Sequence, residues 1–104
     1  MLNFNFSTSE EICRELSRRL RAQRLVQSLS QAELANLAGV STGTVHNLET
    51  KGQASLDSLV RTIMALGLSD DLNTLFVLKV NSIAHMERAE RAKRQRAPKR
   101  RSAT

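Results

Sequence analysis

Tryptophan and tyrosine are absent from this sequence, phenylalanine occurs three times, and proline and cysteine once each. A β-sandwich or barrel needs more aromatic and β-branched residues and more turn punctuation, so the Leu/Ala-rich composition predicts an all-α protein. The scarcity of rings for bases to stack on also weighs against recognition of single-stranded nucleic acid. A lone cysteine, Cys13, makes neither an internal disulfide nor a zinc site. Beside Ile12 and Leu16 it reads as an inert, reduced thiol on an apolar face. No run approaches the roughly 18 apolar residues that span a bilayer, and residues 1–11 have neither a basic start nor an apolar stretch like that of a signal peptide. The expectation is a cytoplasmic protein with no membrane partner.

Catalytic machinery is equally scarce. Two histidines, one cysteine and no glycine-rich phosphate loop leave no metal, nucleotide or nucleophile constellation, so neither cofactor nor catalytic residue is expected. Gly39-Val40-Ser41-Thr42-Gly43 spells a nucleophile elbow. That motif requires a preceding strand, and here a helical pattern precedes it. The paired carboxylates Glu10-Glu11 and Asp70-Asp71 fall at helix starts, where the helix dipole accounts for them.

What is present is helical periodicity punctuated by caps. At 104 residues the chain has room for one small core. Residues 1–7 form an extension in which Leu2, Phe4 and Phe6 alternate as in a short strand. Ser7 with Glu10 offers a capping box for a first helix, with Ile12, Leu16 and Leu20 inward and Arg14, Arg18, Arg19, Arg21 and Arg24 outward, ending near Ser28. A second capping box, Ser30 with Glu33, opens a short helix carrying Leu34, Ala35, Leu37 and Ala38, and Gly39 supplies the positive φ of a tight turn. Ser41 caps a third helix with Val45 and Leu48 inward, broken at Lys51-Gly52-Gln53. Ser55 starts a fourth, through Leu56, Leu59, Val60, Ile63 and Leu66, with Gly67 as its C′ residue. Ser69 caps a fifth, with Leu72, Leu75 and Phe76 as its buried face. The predicted architecture is a five-helix domain over residues 8–78, followed by a basic tail, 79–104, that is loosely helical at first and then largely disordered.

Gln31, Ala35, Gly39, Val45 and Leu48 follow the spacing of a DNA-binding helix-turn-helix. A small residue is needed where the two helices cross, glycine makes the turn, and two apolar residues anchor the second helix so that its opposite face can enter the major groove. Asn47 is the best base-reader, because its amide pairs bidentately with adenine. Gly43 brings close approach to the groove at the expense of helix propensity. Leu29-Ser30-Gln31-Ala32-Glu33-Leu34-Ala35, Gly39-Val40-Ser41, Leu48-Glu49, Leu56-Asp57-Ser58-Leu59 and Ala65-Leu66-Gly67 resemble the lambda-repressor and Cro-like (XRE) regulators across roughly residues 12–78. That resemblance implies a phosphate contact from Gln31 and contacts to backbone or base edges from Ser41 and Thr42. It places Gly43, Thr44, His46, Asn47 and Lys51 on the remaining DNA-facing surface. The polar residue usual in the family at position 43 is missing here.

Charge is divided unevenly. Residues 1–87 hold eight bases and nine acids, whereas 88–104 hold eight bases and one acid. Arg88, Arg91, Lys93, Arg94, Arg96, Lys99, Arg100 and Arg101 are therefore expected to contact phosphates. A single motif reads few base pairs, which predicts a homodimer on a palindromic double-stranded operator, with half-sites about 34 Å apart. Either the Leu72/Leu75/Phe76/Leu78 end or the Leu2/Phe4/Phe6 segment offers a dimer surface. Ser82-Ile83-x-x-Met86-x-x-Ala89 followed by Arg-rich sequence is similar to HipB-type repressors, implying a toxin–antitoxin operon and a HipA-like kinase partner, intact or in split components. The alternatives are a phage-type repressor or restriction-modification controller with no toxin, an adaptor that no longer reads DNA, and a nonspecific nucleic-acid binder.

Overall fold

The computed structural model describes residues 3–78 and 83–102, with side chains in the latter segment as far as residue 95. All regular structure among these residues is helical: α1 (Ser9–Val26), α2 (Gln31–Ala38), α3 (Thr42–Lys51), α4 (Leu56–Ala65), α5 (Ser69–Leu72) and α6 (Ile83–Ser102), with a 3-10 turn at Phe4–Phe6. The chain divides into two units between Asn73 and Thr74.

The alternating N-terminal segment is a 3-10 turn rather than a strand over its described residues; Leu2 lies outside them. The Asn3 side chain accepts from the Asn5 backbone N–H at 3.0 Å, and Phe6 N–H donates to the Asn3 carbonyl at 3.1 Å, closing the turn locally. The Arg19 guanidinium lies 5.1 Å from the centre of the Phe4 ring, tying the turn to α1. The same turn resets the first cap. Ser7 Oγ donates to the Asn3 carbonyl, so the capping box forms one residue later: Thr8 Oγ1 accepts from Glu11 N–H at 3.1 Å and Glu11 Oε1 accepts from Thr8 N–H at 3.0 Å. Glu10, released from that role, pairs with Arg14.

The caps of α2, α3 and α4 follow the sequence. Ser30 with Glu33, Ser41 with Thr44 N–H, and Ser55 with Ser58 N–H each satisfy a first-turn donor. Gly39 stands at φ 70°. Leu20, Leu34, Ala35, Val45, Leu48 and Leu66 form the core, with Leu29, Val40, Leu59, Ile63 and Leu68 packed against it. Helix α3 is held against α1, α2 and α4.

Five further expectations need correction. Leu16, expected inward with Ile12 and Leu20, is exposed. Arg24 is buried, not outward. Cys13 is exposed, although its Cβ and carbonyl abut Gly52. Gly52 ends α3 at φ 64°, and a Cβ there would stand 2.9 Å from that of Cys13, so the close packing of α3 on α1 demands glycine. Ser69 does not cap α5, which begins after Leu68 and stops at Leu72. A four-residue helix cannot carry Leu75 and Phe76 onto one face with Leu72, and both are exposed, Phe76 with φ 57°.

In the second unit the backbone is helical from Ile83 to Ser102, within the tail for which the sequence suggested a loosely helical lead. Ala, Arg, Lys, Glu and Gln are strong helix formers, and Glu87 approaches Arg91 at 4.0 Å one turn away. Ile83 and Met86 are exposed.

Candidate nucleic-acid interface

Helices α2 and α3 are joined by the turn Gly39-Val40-Ser41. Val40 N–H returns to the Ala35 carbonyl at 3.0 Å and Val40 packs on the core, so the turn is pinned from within. Ser41 Oγ accepts from Thr44 N–H at 3.0 Å and shares a 2.8 Å hydrogen bond with Thr44 Oγ1. Ala35 is buried with Val45 and Leu48, its small side chain allowing α2 and α3 to approach closely.

The faces of α3 separate cleanly. Val45, Leu48 and Glu49 are buried, whereas Thr42, Gly43, His46, Asn47, Thr50 and Lys51 are exposed. At 100° per residue the exposed set covers half the helix, with Gly43 and Thr50 opposite Val45 and Leu48. Thr44 lies at the edge, half-buried, its hydroxyl engaged by Ser41. A Cβ added at Gly43 would meet only Ser41 Oγ, at 3.8 Å, so the middle of this face is flat and open. Thr50, one turn after His46 and two after Gly43, joins the face without having been singled out by the motif, although helical spacing alone puts it there; its Oγ1 donates to the His46 carbonyl at 2.7 Å.

Beneath this face lies a buried polar cluster. Arg24 donates through Nε to Glu49 Oε2 at 2.7 Å, through Nη2 to Glu49 Oε1 at 2.9 Å, and through Nη1 to the Leu29 carbonyl at 2.7 Å. Gln31 Nε2 adds a bond to Glu49 Oε1 at 3.2 Å. Burial opposes the Glu49 charge, but hydrogen bonds from Arg24 and Gln31, with the charges of Arg24 and Arg21, outweigh it and hold the carboxyl below its ordinary value. The hydrogen bonds to Glu49 raise Arg24 despite the opposing effect of burial. Four segments thus meet in one cluster: α1 and α2 bond the α3 carboxylate through Arg24 and Gln31, and Arg24 also holds the loop after α1 at Leu29. Gln31, expected to face a phosphate, is half-buried and has committed one N–H inward.

On α6, Arg88, Arg91, Lys93 and Arg94 are exposed, while the side chains of Arg96, Lys99, Arg100 and Arg101 lie outside those described. Among the described residues no group of three or more His, Cys, Asp or Glu side chains is placed to hold a metal, and no helix is long and apolar enough to cross a membrane.

A scaffold helix, a pinned glycine turn, and a second helix anchored by its inner face while its outer face stays bare define the helix-turn-helix class of DNA-binding regulator. The chain belongs to the helix-turn-helix domain family, whose pattern matches residues 15–75, more than half of its length. No curated protein matches the chain.

Proposed function

We propose that this protein is a sequence-specific repressor that binds a palindromic operator as a homodimer, with α3 in the major groove. The observation that carries this reading is the outer face of α3: Thr42, Gly43, His46, Asn47 and Thr50 make no contribution to the core, yet the helix bearing them is fixed from beneath by Arg24, Gln31 and Glu49. Such rigid presentation suits base reading. Ser41 and Thr42 at the helix start meet backbone or base edges, Asn47 reads a base, and Lys51 closes the surface. The second amide N–H of Gln31 is directed to a phosphate. The bases of α6 grip the backbone, adding affinity without sequence preference.

Dimerisation is supported by the few base pairs one such helix spans and by the exposed run Leu75, Phe76, Val77 and Leu78. The wider setting, autoregulation of a toxin–antitoxin operon with a HipA-like kinase as partner, rests on the sequence similarity around Ile83, Met86 and Ala89; Ser82 lies outside the described residues.

Fluorescence anisotropy with DNA from the protein's own promoter against a scrambled duplex, across salt, tests the reading. The intact chain should prefer the promoter. Replacing Arg88, Arg91, Lys93 and Arg94 with Gln should weaken both duplexes and flatten the salt dependence by about 0.9 log unit per log unit of salt for each phosphate no longer neutralised. Thr42→Ala with Asn47→Ala should abolish the preference. Equal affinity for both duplexes would reject the sequence-specific repressor in favour of a nonspecific binder, and absence of binding would favour the adaptor.

A further inference from the structure

The outer face of α3 also indicates which bases it suits. Bidentate reading of guanine takes an arginine or lysine directed at the O6 and N7 edge. The one cation on α3 is Lys51, at the edge of the exposed face, about 80° and 100° round the helix from Gly43 and Thr50. His46, the remaining candidate for guanine, presents one ring nitrogen at a time where arginine presents two parallel donors. The rest of the face is threonine, glycine and asparagine.

Their hydrogen bonds narrow the choice further. Thr50 Oγ1 has committed its hydrogen to the His46 carbonyl, and Thr44 Oγ1 is paired with Ser41 Oγ. Thr50 therefore meets a base edge with its methyl group and with a hydroxyl oxygen that only accepts. Gly43, between Thr42 and the His46/Asn47 turn, leaves open space where a side chain would otherwise stand. A surface of methyl groups around a gap, with one carboxamide beside it, complements the C5-methyl of thymine and the N6/N7 edge of adenine. It offers no paired donors to the O6/N7 edge of guanine.

We infer that the base pairs covered by the Gly43–Thr50 face are A·T, with thymine methyls seated against Gly43 and, two turns on, against Thr50, and an adenine paired to the Asn47 carboxamide. This rests on the repressor reading and names the DNA class that its recognition helix takes.

Selection of the intact chain on random duplexes, followed by affinity measurements on the enriched sequence, tests it. The expected half-site has A·T pairs at its centre. Replacing thymine there with uracil, which removes only the methyl group, should weaken binding. Replacing adenine with 7-deazaadenine, which removes only the N7 acceptor, should weaken it roughly 2- to 12-fold, the span of one hydrogen bond of the pair. Asn47→Ala, a change at an exposed position, should lose the response to 7-deazaadenine while keeping the response to uracil. A half-site fixed as G·C under this face would overturn the inference and leave the repressor reading standing. A·T enrichment indifferent to both base analogues would also overturn it, showing that groove shape is read instead. No enrichment at all would reject both.

Discussion

Arg24 and Glu49, 25 residues apart, form a two-pronged ion pair whose side chains are 8% and 1% exposed. Arg24 Nε and Nη2 engage both carboxylate oxygens, an Nη1 donor of Arg24 reaches the Leu29 carbonyl, and Glu49 Oε1 also accepts from Gln31. Among the described residues no buried side-chain nitrogen or oxygen lacks a partner. The desolvation that such a pair costs is therefore offset as fully as the geometry permits.

Removing one member leaves the other charge buried. Arg24→Met and Glu49→Leu, taken singly, should each destabilise the fold by about 3–5 kcal/mol, whereas the double substitution should recover most of that loss. Urea unfolding followed by far-ultraviolet circular dichroism measures this, since the chain has no tryptophan to follow by fluorescence. Additive losses in the double variant would contradict the pairing.

Acid should weaken the fold through the same carboxylate. Its folded-state value lies below the ordinary 4.5, so its contribution is present above 4.5 and disappears as pH falls through the lowered value. Glu11 and Glu33 are lowered by backbone and side-chain hydrogen bonds from Thr8 and Ser30 and act in the same direction. Stability should decline from neutral pH into the acid range, and Glu49→Gln should show a shallower decline than the parent. Parallel pH profiles would count against an ionised Glu49.

Ser28 closes α1 in the left-handed region, at φ 58°, with Ser28 N–H on the Leu25 carbonyl and Leu29 N–H on that of Arg24. Glycine relieves about 1–2 kcal/mol of strain at such a position and gives back about 0.5–1 kcal/mol in unfolded-chain entropy. Ser28→Gly should thus raise stability by roughly 0.5–1 kcal/mol, which thermal unfolding resolves as a shift of a few degrees.

The two glycines of the α3 region should respond oppositely to alanine. Gly52→Ala combines a positive φ with a Cβ 2.9 Å from that of Cys13, and should cost about 2 kcal/mol or more. Gly43→Ala meets open space and removes a glycine from a helix, so it should gain up to about 1 kcal/mol. Denaturation midpoints of the two variants decide the matter.

Local chemistry made much of this fold legible. Ser30 with Glu33, Ser41, and Gly39 act within a few residues of themselves, and Val45 and Leu48 repeat at helical spacing, so sequence alone locates α2, the turn and α3. The misplaced features depend on competition or distance. Ser7 and Thr8 both head workable capping boxes, and the Asn3 turn decides between them. Arg24 is one of five arginines in α1, and nothing near it in sequence announces a carboxylate on α3. Leu75 and Phe76 continue an apolar pattern past the point where α5 ends. Thr50 is within reach of the same arithmetic that selects His46 and Asn47, but the motif resemblance draws attention to the start of the helix and away from its last turn.

Everything that fixes α3 in place, Val45, Leu48 and Glu49, points away from Thr42, Gly43, His46, Asn47 and Thr50. The alphabet displayed to a ligand is thus uncoupled from the joinery that holds it, and the outer positions can be rewritten in combination without renegotiating the core. Descendants of such a chain can drift to new target sites by surface substitution alone, and a laboratory library confined to those positions should stay folded while its preferences scatter.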